Sequence, residues 1–141
     1  MSRVRDIIHN RDLFFVEEQQ TVAQAARKMA DLHVGAILVL KDNQLSGVFS
    51  ERDLMNRVVL ACREPTNTPV GEVMTREIAT VDDVATIEEA MEAMQTHNCR
   101  HLPVMRGAQV VGFLSMRDLM KYELVRKTEE WDHMRAYIGS V

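Results

Sequence analysis

Long apolar runs are missing from this 141-residue chain. "VGAILVL", from Val34 to Leu40, has only seven residues. That is the length of a buried strand, far short of the ~20 apolar residues a membrane helix needs. The opening "MSRVRDIIHNRD" holds no apolar stretch of signal-peptide length. No membrane partner is expected, and a cytoplasmic setting is. Cysteine is scarce: Cys62 and Cys99 alone, far apart, make no disulfide framework and match no metal spacing. A reducing compartment fits that. Aromatics are only 5%, so the core must be aliphatic, and ten methionines supply adaptable packing. Positive charge is short as well: 17 Lys and Arg against 21 Asp and Glu leave a net −4. That argues against nucleic acid, whose phosphates call for clustered basic residues. No Gly-rich phosphate loop, Ser-His-Asp order or paired-carboxylate motif is present, so no enzyme is expected.

What is present is repetition. "GVFSERDLM" begins at Gly47 and "GFLSMRDLM" at Gly112, 65 residues later. Residues 21–57 align on 86–122 without a gap, with eleven identities in 37 positions. The register reaches back to Val16/Val81 and Arg11/Arg76. Two copies are too few for a solenoid, which leaves a pseudo-two-fold pair.

Each copy reads as β-α-β-β-α, an α+β fold. A short extended piece, "LFFVEE" from Leu13 or "IATVDD" from Ile78, comes first. A helix then opens on a capping box, Thr21-x-x-Gln24 or Thr86-x-x-Glu89. Strands "AILVL" and "HLPVM" follow, then turns "KDNQ" and "RGAQ", then strands "LSGVFS" and "VVGFLS". The nonapeptide starts the final helix. Pro103 interrupts a strand pattern and calls for an edge, a bulge or a ligand beside it. The expected organisation is repeat 1 over 4–62, a linker with a short helix over 63–74, repeat 2 over 75–125, and a helical tail over 126–141. From Glu123 on, Leu124, Thr128, Trp131, Arg135 and Ile138 fall roughly on one stripe. They either cap an edge of their own subunit or meet another.

The doubled Gly-h-h-Ser-x-x-Asp-Leu motif, with "RHLPV" in the second copy, resembles a pair of CBS (cystathionine β-synthase) domains over roughly Val4 to Tyr122. The resemblance implies a non-catalytic regulatory fold that binds adenosine-containing ligands: AMP, ADP, ATP, NAD or S-adenosylmethionine. It implies two related clefts between the repeats, and two pairs joined as a flat, disc-like homodimer. The regulated protein is unknown, and no cofactor is required.

Asp53 and Asp118 would accept both hydroxyls of a ribose, since a carboxylate offers two oxygens. Ser50 and Ser115 would sit where free helix amides meet a phosphate. The same Ser-x-x-Asp is equally a helix cap worth about 1 kcal/mol. Arg100 and His101 match family positions that reach phosphates; the first copy has Gly35 and Ala36 there. Arg52 and Arg117 face phosphate or solvent. Family adenines lie against Ala79 and Thr80 and the backbone of Leu102 and Pro103. Phe15, at the place of Thr80, either stacks on a base or fills the first cleft. Besides a ligand sensor, an interaction module with degenerate clefts remains open.

Overall fold

A computed structural model describes residues 2–139. Helix α1 (Val4–Ile8) leads into β1 (Phe15–Glu17), α2 (Val22–Leu32), β2 (Ala36–Lys41) and β3 (Gln44–Ser50). The first repeat closes with α3 (Glu51–Asp53), which widens at once into a π-helix over Leu54–Val59. A 3-10 turn at Val70–Glu72 precedes β4 (Val81–Asp82), α4 (Ile87–Thr96), β5 (His101–Arg106) and β6 (Gln109–Ser115). The second repeat closes with α5, one helix from Met116 to Gly139.

Local chemistry explains most of these boundaries. Both capping boxes form: Thr21 Oγ1 accepts from the Gln24 amide at 3.1 Å, and Thr86 Oγ1 from the Glu89 amide at 3.1 Å. The first hairpin turns on Asp42 and Asn43, with φ of 52° and 64°, as a two-residue primed turn requires. The second turns on Gly107, φ 62°, with no positive φ at Ala108.

Each repeat forms a three-stranded sheet, β1-β2-β3 and β4-β5-β6, with the first pair parallel and the second antiparallel. A bulge falls at Val39/Leu40 and again at Val104/Met105, the same place in both copies. The expected strands at Leu13 and Ile78 are shorter than the sequence pattern suggests. Strand β1 pairs from Phe15↔Leu38, whereas β4 starts one step later at Val81↔Val104. The reason is Pro103, which holds the place of Leu38 and has no amide to give the ladder. Ala79 and Thr80 therefore lie just before β4.

The two sheets meet face to face through Leu38, Leu40 and Val110, with Phe15, Val48, Met105 and Phe113 packed around them. Phe15 belongs to this shared core. Each sheet's other face is covered by its own helices and by a segment that comes from the other side of the sequence. Val4 and Ile8 of α1 are buried in the core of the second repeat. Val70, Val73 and Met74 are buried in the core of the first. Backbone pairs fix the exchange: Val4 N donates to Ala85 O at 2.8 Å, and Val70 N to Gln20 O at 2.7 Å.

The repeated glycine of the nonapeptide is the place where this exchange passes. A Cβ on Gly47 would stand 2.6 Å from Thr75 O and 2.7 Å from Met74 Sδ. A Cβ on Gly112 would stand 2.8 Å from Ile8 Cδ1. No helix among the described residues is long and apolar enough to cross a membrane.

Candidate functional site

The end of β3 and the end of β6 create two equivalent corners. Ala36 pairs with Ser50, and His101 with Ser115, so each predicted corner assembles from two separate stretches of one repeat. Gly35 O accepts the Glu51 amide at 2.9 Å, and Arg100 O accepts the Met116 amide at 2.8 Å. The first turn of each repeat-ending helix is thereby pinned beside Gly35 and Ala36 in one corner and Arg100 and His101 in the other.

In both corners Ser-x-x-Asp is a capping box. Asp53 Oδ2 accepts from the Ser50 amide at 3.0 Å, and the Asp53 amide donates to Ser50 Oγ at 3.2 Å. In the second corner the distances are 2.8 Å and 3.0 Å. The box uses one carboxylate oxygen and leaves the other to the surroundings, and there the two corners part.

Asp53 is buried, and its second oxygen is taken. Thr75 Oγ1 donates to Asp53 Oδ1 at 3.0 Å, and Arg57 Nε lies 3.8 Å from the same atom. Arg57 also donates to Met74 O at 2.7 Å, which ties the π-helix to the crossing segment. Glu51 lies across from Gly35, its carboxylate 3.4 Å from where a Cβ would stand. The first corner is thus closed by Thr75, Arg57 and Glu51.

Asp118 keeps more freedom. Arg11, from the segment after α1, reaches its Oδ2 at 3.1 Å, the oxygen already used by the box. Oδ1 has no partner among the described residues. Burial pushes this carboxyl up, but Arg11 and the Ser115 amide and hydroxyl outweigh it and hold it below the usual aspartate range. His101 stacks on Phe113 with ring centroids 5.1 Å apart. Burial pushes its imidazole down, Asp118 and Glu51 partly oppose that, and Arg100 reinforces it. Arg100 and Arg117 are exposed, without an ion-pair partner among the described residues. Leu102 is wholly buried in the core of the second repeat, so only its backbone can face a ligand. Pro103 is buried beside it.

Arg52 is exposed on the first-repeat helix. Ala79 packs at the margin of the second core, and Thr80 is exposed. Neither touches Asp118 through any hydrogen bond. The segment that leads into β4 instead passes Asp53, through Thr75. Arg11, Thr75 and Arg57 are the residues that sequence reasoning did not place at the corners. Beside Arg11 a concavity of about 510 Å³ opens, lined also by Arg5, His9 and Arg106. No group of His, Cys, Asp or Glu among the described residues could hold a metal ion.

Two mixed sheets joined face to face, each ending in a Ser-x-x-Asp corner, define a tandem regulatory module of the ligand-binding kind. The CBS domain family model matches residues 4–60 and 70–125, and the chain belongs to that family. It is 33% identical over 119 residues to the CBS domain-containing protein YhcV of Bacillus subtilis, covering 84% of each chain. It is 31% identical over 123 residues to the mitochondrial CBS domain-containing protein CBSX3 of Arabidopsis thaliana, covering 84% of this chain but 60% of that protein. A solved protein with CBS domains from Burkholderia ambifaria superposes with a TM-score of 0.82 at 32% identity, covering 88% of this chain and 95% of that one. None of these three names is that of an enzyme.

Proposed function

We propose that this CBS pair is a sensor that binds an adenosine-containing nucleotide at the Asp118 corner, and that the Asp53 corner serves the fold. The observation that carries the reading is the unequal use of two equivalent carboxylates. Asp118 keeps Oδ1 free for a ribose hydroxyl, with Arg11, Arg100 and Arg117 at hand for phosphate. Asp53 has both oxygens engaged inside the protein. Ribose binding would draw on Asp118 and so act on Arg11, which sits on the segment crossing from the first repeat to the second. A regulated partner would read that shift.

Calorimetry with AMP, ATP, NAD and S-adenosylmethionine tests this on wild type, Asp118→Ala and Asp53→Ala. The expectation is binding of at least one of them that weakens by about tenfold or more in Asp118→Ala, the loss of one charge-assisted hydrogen bond. Absence of binding at millimolar ligand, or equal affinity in Asp118→Ala, overturns it. A second reading, an interaction module with idle clefts, is favoured by the closed Asp53 corner and by Met55, Val59 and Leu60, all more than half exposed. It predicts partner capture that is indifferent to nucleotide and to replacement of both aspartates.

A further inference from the structure

From Leu124 to Gly139 helix α5 leaves the body of the protein, with every described residue exposed. At 1.5 Å per residue this stretch is about 24 Å long. A lone helix of that length is marginal in water. Its apolar residues are not scattered. Met120, Leu124, Lys127, Trp131, Met134 and Ile138 follow each other at alternating steps of four and three, the spacing of a coiled-coil seam. The five apolar members are each more than half exposed.

We propose that this seam pairs with the same helix of a second copy, running antiparallel, as a two-stranded coil. The sequence matches itself in that direction. With the two-fold axis at Glu129, Leu124 faces Met134 of the second copy, Met120 faces Ile138, and Lys127 faces Trp131. The one cation in the seam then lies on an indole ring, the most favourable aromatic face for it. The parallel arrangement would oppose Lys127 with Lys127 inside the seam, two like charges taken from water. On the flank of the antiparallel coil Glu130 nears its own copy, and Arg126, 3.8 Å from Glu130 within each chain, offsets that repulsion. Ten large apolar side chains come under cover, on the order of the ~1,000 Å² that a specific interface needs. The contact is isologous and closes at two copies. It is independent of whether Asp118 binds a nucleotide.

Sedimentation equilibrium of the full chain tests the contact, and cysteine pairing tests its direction. Wild type is expected to be a dimer, and Trp131→Glu, at an exposed site that leaves the body intact, to raise the dissociation constant by about tenfold or more. With Cys62 and Cys99 replaced by serine, a mixture of Leu124→Cys and Met134→Cys chains is expected to form disulfides between unlike chains only. A monomeric wild type, a dimer untouched by Trp131→Glu, or disulfides formed by Leu124→Cys alone would overturn the proposal.

Discussion

Asp53 and Asp118 stand at the same step of two copies, yet they differ in what they leave for a ligand. The difference lies in their non-local partners. Asp53 is itself buried and accepts from Thr75, so removing its carboxylate takes the acceptor of the half-buried Thr75 hydroxyl as well as the helix cap. Asp53→Ala should cost about 2–3 kcal/mol in urea unfolding. Asp118→Ala should cost about 1 kcal/mol, the value of a helix cap, because Arg11 is half exposed and finds water instead. Equal costs for the two would contradict their unequal engagement. The same corner also sets a pH dependence. The folded His101 holds its proton less readily than the ordinary value of about 6.5, so its contribution is fully present above that value. It is lost as pH falls below 6.5, where the unfolded chain takes up a proton that the folded one resists. Asp118, also lowered, adds a second loss as pH falls below the ordinary 3.8. Stability of wild type should therefore begin to fall between pH 6.5 and 5.5, and His101→Phe should remove that upper step while keeping the lower one. An unchanged upper step would assign it to another histidine.

At the scale of the element, the glycine of each nonapeptide is a crossing point, and the two crossings differ in hardness. Gly47 faces the backbone oxygen of Thr75, which cannot move without breaking the Val48–Thr75 pair. Gly112 faces Ile8 Cδ1, which can rotate away, with Ile8 Cβ and Cγ2 behind it at 3.2 Å. Gly47→Ala should cost about 3 kcal/mol and Gly112→Ala about 1 kcal/mol, with Ile8→Val restoring part of the latter. Thermal unfolding of Gly47→Ala, Gly112→Ala and Gly112→Ala with Ile8→Val decides it. The elements themselves were largely legible. Capping boxes, turn residues and alternation are local signals, and the repeat doubled each of them. The two hairpins bring Ala36 beside Ser50 and His101 beside Ser115 in a register that their bulges set. Three things were not legible. Pro103 shortened β4 through its effect on a neighbour, so Ala79 and Thr80 fell outside the strand. The π-helix after Asp53 has no local mark, and its Arg57 reaches the Val73 and Met74 carbonyls of the crossing segment. And Arg11 and Thr75 reach the aspartates because the lead-in segments cross over, a long-range fact with no short-range mark beyond the Arg11/Arg76 match.

That crossing governs the molecule as a whole. Each repeat completes its core with the lead-in of the other, α1 in the second core and Val70, Val73 and Met74 in the first, so neither core closes unless both are in place. Helix α1 is the sharper case. It opens the first repeat, yet Val4 is 0% and Ile8 8% exposed within the second core, and Gly112 gives way to Ile8. A cut into α1 should therefore weaken the distant half. Ile8→Ala removes three carbons from a packed site and should cost about 2–4 kcal/mol. If the repeats were independent units, two transitions would separate, and the first repeat, adjacent in sequence, would lose protection. With crossed segments and a shared sheet interface around Leu38 and Val110, unfolding should stay a single transition by fluorescence and far-UV dichroism alike. Native-state hydrogen exchange then discriminates further. In Ile8→Ala, sub-global opening should rise first in α4, β5 and β6, while the amides of α2 and β2 keep their protection until global unfolding. Faster exchange in α2 and β2 with β5 and β6 unchanged would mean that α1 serves its sequence neighbour after all. It would also uncouple Arg11 from the second repeat, and with it the route by which a ligand at Asp118 could be felt in the first.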